Sequence, residues 1–347
     1  AEYVKDKKEK TGYPHAYRVT WVKGRADRVL KIAKIFEEAG AQKGMTIALQ
    51  SMNEDVLKAV KRKNVDGGKL KEFIEMYEKE NIGSYIELIW GLPEETIQSF
   101  KSGIIQILDY GYHNYLDIHM MMMLPNAPIA SKNYINKYGI KTTTTQPRFS
   151  HRHIENIMSS DTVEFVTETN SFTREDWIEG HQFRWLIIFA HYLGPLQFIS
   201  RALKRIYNIS YGDFYDNIFS FCKETRDTFL SKEYHDIKNN LNQILENKRF
   251  WGGIVEGVGN INWNVDEATC IKIANGNKDR FYYEVKQFIL SRYPQIEELV
   301  FDQILSYQKS RLSDPNVTYP FSENYTYNIH DVIEKGHELD KINNTVE

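Results

Sequence analysis

The sequence predicts an α/β fold: a parallel sheet covered by helices, either open or part of a (β/α) barrel, followed by a mainly α-helical C-terminal domain. Short apolar runs alternate with stretches of helical period through roughly the first 130 residues. The runs are apolar at nearly every position, the pattern of strands covered on both faces, which belongs to parallel sheets. Past residue 150 the helical period dominates. The expected domains are residues 1–140, the partial barrel, and 141–347, the helical domain.

Tyr17 to Val22 (YRVTWV) is β-rich, and Asp27 to Glu38 sets Leu30, Ala33, Ile35 and Phe36 on one helical stripe, stopped at Gly40. Met45 to Leu49 (MTIAL) is a short strand. Asn53 can cap the helix carrying Val56, Leu57 and Val60, because its side-chain oxygen can accept an orphaned backbone N–H. Leu70, Phe73, Ile74 and Tyr77 mark the next helix. Tyr85 to Trp90 (YIELIW) is a strand that breaks at Gly91-Leu92-Pro93, and Thr96 to Tyr110 is a helix burying Phe100, Ile104, Ile107 and Leu108. Tyr115 to Leu124 (YLDIHMMMML) is a further strand, stopped by Pro125. Four strands are too few for a closed eight-stranded barrel and enough for part of one.

Lys141 to Ser150 reads as a polar connector. Thr173 to Tyr207 is a helix pair broken at Gly194-Pro195, followed by helices over Asp213 to Leu230, Glu233 to Asn247, Arg280 to Arg292 and Glu297 to Leu312. Gly252 to Val265 is a glycine-rich loop or short hairpin. Lys335 to Glu347 is polar and reads as a frayed end.

Composition narrows the function classes. With 41% apolar and 26% charged residues the chain is globular, and 44 Lys+Arg against 47 Asp+Glu disfavours broad nucleic-acid binding. Cys222 and Cys270 are too far apart for a Cys-x-x-Cys metal site and provide no disulfide framework, which reads as a reducing, cytoplasmic compartment. Ala1 to Lys10 has no apolar core of a signal peptide. Trp185 to Ile199 is the most apolar stretch. It is shorter than the about 20 residues a membrane span needs, and it reads as a buried helix–turn–helix.

Ligands of parallel α/β folds sit at the carboxyl ends of the strands, where the crossover loops converge. Those ends are Lys23 to Arg25, Gln50-Ser51, Gly91 to Glu95 and Leu124 to Ala127. The runs Leu49-Gln50-Ser51-Met52-Asn53-Glu54-Asp55-Val56-Leu57-Lys58, Arg62-Lys63-Asn64, Glu87-Leu88-Ile89-Trp90-Gly91-Leu92-Pro93-Glu94-Glu95-Thr96 and Leu124-Pro125-Asn126-Ala127 follow in this order. Their order and spacing resemble the second half of the radical S-adenosylmethionine (SAM) barrel, in the subgroup that also carries an N-terminal cobalamin-binding domain. The resemblance is dense over Tyr13 to Ile140 and looser through the helical tail. There, Glu168 to Trp177 (ETNSFTREDW) resembles a segment that follows the barrel in that subgroup.

One departure is large. The Cys-xxx-Cys-xx-Cys motif that holds a 4Fe–4S cluster through three thiolates is absent, and Cys222 and Cys270 cannot replace it. The chain opens on Ala1, not Met, and enters near the third barrel strand. The resemblance therefore implies the C-terminal part of a longer enzyme, whose N-terminal region brings the cobalamin domain and the cluster. A barrel remnant that has lost its chemistry and serves as a ligand-binding or scaffold module is the alternative, and a barrel enzyme without iron is a third reading. In the intact enzyme the resemblance implies SAM, a 4Fe–4S cluster and cobalamin. A reduced cluster would pass an electron to SAM inside a barrel that shields the radical, for radical modification or methylation of a small-molecule or peptide substrate. This chain alone would be inactive. Neither nucleic acid nor a membrane is an expected partner.

The resemblance assigns Gln50, Ser51, Arg62, Glu87, Gly91 and Leu124 to cofactor binding. Gln50 and Ser51 are polar groups at the mouth of an apolar strand, to be satisfied by ligand hydroxyls or water, or else they only start the turn into the Asn53-capped helix. Arg62 offers a bidentate fork for a ligand carboxylate, or simply a cation at a helix C-terminus. Glu87 sits inside an apolar strand and faces either the ligand or a helix lysine. Gly91 permits a close backbone approach or a sharp turn, and Pro93 starts a helix. Met120 to Met123 read as gap fillers, and His119 either faces the barrel or is a structurally satisfied histidine. His151 and His153 resemble a two-ligand metal clip with no third ligand in sequence reach, and Cys222 reads as a buried thiol.

Overall fold

The structure, a computed structural model, describes the chain outside residues 17–25, 42–43, 65–66, 81, 146–149, 154–161, 247–251, 314–317, 319, 343 and 347. The expected strand over Tyr17 to Val22 and the strand end at Lys23 to Arg25 lie outside the described residues. Two compact units form. The first holds Ala1–Thr142 and Glu164–Gly180, the second Thr143–Val163 and His181–Glu347.

In the first unit, α1 (Glu2–Thr11) and α2 (Ala26–Glu38) precede β1 (Met45–Gln50). Then come α3 (Glu54–Ala59), α4 (Gly67–Lys79), β2 (Ser84–Trp90), α5 (Ile97–Asp109) and β3 (Tyr115–Met120). The strands pair in parallel in the order β1–β2–β3, the arrangement the alternating periods predict. Local chemistry fixes the helix starts. Asn53 accepts the Asp55 N–H at 2.9 Å, and Thr96 and Ser99 cap each other's backbone N–H groups at 3.0 Å.

The sheet has two unlike faces. Met45 clusters with Val29 and Ala33 of α2 and Tyr77 of α4, which marks the helix-packed side. By the two-residue period and the register Met45↔Ser84, Ile86, Leu88 and Trp90 share that side, with Leu116 and Ile118 opposite them on β3; all five are at most 2% exposed. Tyr85, Glu87, Ile89, Asp117 and His119 point the other way and are half-buried or exposed.

β3 ends at Met120, short of the expected Leu124. The Met121 N–H still bonds Trp90 O at 2.9 Å, but the chain then turns to a new partner: Val166 N–H bonds Met121 O at 2.9 Å and Met123 N–H bonds Glu164 O at 2.8 Å. Next in the chain are α6 (Lys132–Tyr138), β4 (Lys141–Thr145), β5 (Arg152–His153), β6 (Val163–Glu168) and α7 (Arg174–Ile187). Trp90 anchors the Glu168 to Gly180 stretch of the first unit. Its ring meets Phe172 at 5.1 Å and Phe100 at 4.5 Å, and its indole N–H bonds Trp177 O at 3.1 Å.

The second unit is mainly helical: the rest of α7, α8 (Gln197–Tyr207), α9 (Tyr211–Glu224), α10 (Phe229–Leu245), α11 (Val265–Lys272), α12 (Lys278–Arg292) and α13 (Glu298–Ser310). Strand β5 pairs antiparallel with β7 (Ile261–Asn262), and Gly253 bridges Trp263, so the glycine-rich segment is a short hairpin. Among the described residues no single helix is long and apolar enough to cross a membrane. The apolar pair Arg174–Tyr192 and Gln197–Tyr207 bends by 82° at the Gly194-Pro195 break, and Trp185 to His191 are fully buried.

Two boundaries depart from expectation. The break expected after Leu230 falls at Thr225 to Thr228, because the Thr228 hydroxyl accepts the Ser231 N–H at 3.1 Å and starts α10 there. The tail expected to fray carries β9 (Asn344–Val346), paired antiparallel with β8 (Glu323–Tyr325).

Candidate functional site at the strand ends

The end of β1 is irregular. Ala48 stands opposite Glu87 and Gln50 opposite Leu88, so one extra residue is inserted and Gln50 adopts φ 65°. A glutamine in the left-handed region costs about 1–3 kcal/mol and persists only where neighbours hold it. The Gln50 Oε1 atom is also shut from water, with no hydrogen-bond partner among the described residues. Strain and an unmet buried acceptor coincide in one residue.

Ser51 is 4% exposed, and the protein satisfies it. Its hydroxyl donates to Glu95 Oε2 at 2.5 Å and accepts the Asn53 N–H at 3.0 Å, while its carbonyl accepts from Asn64 Nδ2 at 2.7 Å. Its hydroxyl proton is thus committed to Glu95, and the residue also starts the turn into the Asn53-capped helix. Glu95, 1% exposed, accepts a second hydroxyl, that of Ser99, and meets no cation among the described residues. Burial pushes its carboxyl above the usual range, and the two hydroxyl donors offset part of that rise.

Gly91 has φ 106°, and a Cβ there would lie 3.1 Å from Met121 Cβ, so the residue serves a sharp turn against the β3 exit. Glu94 in the same loop has φ 67°. Leu124 is exposed, and its carbonyl accepts the Ala127 N–H at 2.9 Å. Glu87 lies on the face away from the helices, level with Ala48 and Asp117, and forms no ion pair with a described lysine. Two residues along β3, His119 Nε2 stands 3.6 Å from Asp117 Oδ2. Arg62 is exposed beyond α3, on the wall of a recess of about 810 Å³ that Leu57, Leu70, Gln106 and Tyr110 also line. Gln50, Ser51 and Gly91 therefore share the carboxyl ends of adjacent strands, Glu87 lies deeper on the open face, and Leu124 and Arg62 stand apart.

Glu95 escaped the sequence reading as an individual site. Its signal was a carboxylate set between a strand-end turn and a helix cap, in a run otherwise destined for burial. The metal readings find no support in the described residues, where no group of three or more His, Cys, Asp or Glu forms. His151 Nε2 instead meets Glu267 at 2.8 Å, and His153 is exposed. Met123 is buried and Met122 exposed, as alternation on an extended segment requires. Cys222 lies fully buried in α9, Cys270 sits in α11, and burial pushes both thiols up.

The chain is 30% identical to the cobalamin-dependent radical SAM methyltransferase TokK of Streptomyces tokunonensis over 290 residues, 80% of this chain and 42% of that protein. It belongs to the cobalamin-dependent radical SAM subgroup. A second relative of this radical SAM chain, also 30% identical, is the 2-(S-pantetheinyl)-carbapenam-3-carboxylate methyltransferase of Streptantibioticus cattleyicolor, aligned over 305 residues, 83% of this chain and 44% of the relative. The chain thus spans less than half the length of the curated relatives it matches. No protein-family model matches it. The cofactors of the subgroup are SAM, a 4Fe–4S cluster and cobalamin. The unmet Gln50 acceptor at a strand mouth fits a SAM hydroxyl or ammonium. Two distant cysteines do not fit the cluster, which needs three thiolates on one loop.

Proposed function

We propose that this chain is the C-terminal portion of a cobalamin-dependent radical SAM enzyme, with residues 1–140 forming the second half of its barrel and 141–347 a helical domain. The single observation that carries the SAM contact is Gln50, strained at the end of β1 with a buried acceptor that meets nothing among the described residues. When bound, SAM supplies the reactive group for radical chemistry. The residues of this chain hold and enclose it. Gln50 Oε1 accepts from a ribose hydroxyl or the methionyl ammonium, and the Glu87 carboxylate on the open face offers a second acceptor. Arg62, exposed on the wall of the recess beyond α3, is left out of this set. Gly91 keeps the β2 loop tight against Met121, and the Leu124 to Ala127 turn closes the end of the third strand. Ser51 braces the site without touching SAM.

The reaction we assign is methyl transfer to a small molecule, the class of substrate named for the relative from Streptantibioticus cattleyicolor. The test uses the full-length polypeptide carrying this chain, reconstituted with its cluster under anaerobic conditions. Gln50→Ala should weaken SAM binding about tenfold, the scale of one hydrogen bond to a charged or buried group. SAM affinity equal to that of the unsubstituted protein would defeat the proposal.

A further inference from the structure

Glu95 is the buried ionisable group that the proposed function leaves unused. It sits in the Gly91 to Thr96 loop at 1% exposure, where an ionised carboxyl is expensive, and its described partners are two hydroxyls and no cation. A carboxyl kept in such a place does something an apolar residue could not. Its partners show what that is. Ser51 is the residue after Gln50, and the Ser51 hydroxyl has a single proton, which goes to Glu95 at 2.5 Å. Ser99, the other donor, belongs to the cap that starts α5. Glu95 therefore ties the end of β1 to the first turn of α5. Asn64, bonding the Ser51 carbonyl at 2.7 Å, adds a tie from the segment after α3.

This clamp explains the adjacent strain. Gln50 holds φ 65°, a conformation that relaxes unless its neighbours over-determine it. Ser51, fixed through its hydroxyl, its carbonyl and the Asn53 N–H, is the neighbour that does so. We propose that Glu95 is a positioning residue for Gln50: through Ser51 it holds the β1 end in the left-handed conformation that aims Gln50 Oε1 at its ligand. Glu95 itself touches no ligand. The inference rests on the reading that Gln50 meets SAM.

The experiment is a double-mutant cycle on the full-length, cluster-reconstituted protein, with SAM affinity measured by equilibrium dialysis. Glu95→Gln keeps the size and one acceptor oxygen but cannot take both hydroxyls as a carboxylate does. It should weaken SAM binding three- to tenfold in the parent, and leave binding unchanged in the Gln50→Ala background, where nothing remains to be aimed. Ser51→Ala cuts the same tie from the other side and should give the same pattern, which secures the result if Glu95→Gln folds poorly. Equal losses in both backgrounds would mean that Glu95 only supports the loop, and would overturn the inference while leaving Gln50 as a SAM contact. Unchanged affinity for Gln50→Ala alone would instead remove the underlying reading, and the inference with it.

Discussion

In the second unit the buried Glu233 carboxylate meets Lys272 at 2.7 Å and the Thr269 hydroxyl at 3.0 Å, and Thr269 in turn accepts the Trp185 indole N–H at 2.9 Å. His191, fully buried, bonds the Tyr215 hydroxyl at 2.7 Å, which bonds Ser200 at 3.2 Å. In the first unit Gln50 Oε1 is equally shut from water and meets nothing among the described residues. The helical unit thus closes these polar networks on themselves, as a scaffold must, because a half-satisfied buried network costs more than an apolar one. The strand ends leave an acceptor open and hold non-glycine residues, Gln50 and Glu94, in the left-handed region. Buried polar atoms without a described partner, such as Trp263 Nε1, and left-handed residues such as Asn208 occur in the helical unit too. What sets the strand end apart is that strain and an unmet acceptor coincide there in one residue, Gln50.

The contrast can be broken at its strongest point first. Trp185→Ala empties the core of the helical unit and removes a donor to Thr269, so unfolding free energy should fall by about 3–5 kcal/mol in denaturant titrations. SAM affinity per folded molecule should stay constant; a change would show that the two kinds of region are not energetically separate. Glu87→Gln should do the reverse. Losing a charged acceptor on the open face should weaken SAM binding ten- to a hundredfold, about 1.5–3 kcal/mol, while stability moves by no more than about 0.5 kcal/mol. Unaltered affinity with a lower melting temperature would return Glu87 to a structural role.

A smaller effect separates the two units by pH. The Glu95 carboxyl is raised in the fold, so its folded state binds protons more tightly than its unfolded state. The stability it contributes is whole below the ordinary carboxylate range and is lost as pH rises through the elevated value. The melting-temperature gap between the parent and Glu95→Gln should therefore shrink as pH climbs from acid toward neutral. A gap that widens would contradict the burial argument. The smallest expected signal is a null: after anaerobic reconstitution this chain alone should hold no stoichiometric iron and sulfide, because it carries two distant thiols. A full cluster complement would overturn that expectation.

Much of the first unit was legible because its signals are local. The parallel strands followed from apolar runs, α3 from the Asn53 cap and α5 from the stripe of Phe100, Ile104, Ile107 and Leu108, signals that all lie within a few residues of one another. The β3 exit was not legible, since four methionines read as one strand until Glu164 and Val166, some forty residues on, supply the competing hydrogen bonds. The same limit hid Glu95. Its partners Ser51 and Ser99 lie 44 residues before it and four after it, and only folding brings the first within reach. In the helical unit α11 went unread, because its start depends on the reciprocal Asn264–Glu267 cap at the close of a glycine-rich segment whose pattern looks like a loop.

The packing of Gly180 against Trp90 carries a practical lesson for anyone altering this protein. A Cβ at position 180 would lie 2.4 Å from the indole Cε2, against a ring held by Phe100, Phe172 and the Trp177 carbonyl. Replacing a mid-helix glycine with alanine ordinarily stabilises a helix by about 1 kcal/mol, and it is a routine move in making proteins more heat-resistant. Here one methyl group has nowhere to go. Consensus-style stabilisation that targets α7 should pass over this residue and spend its substitutions on the exposed turns instead.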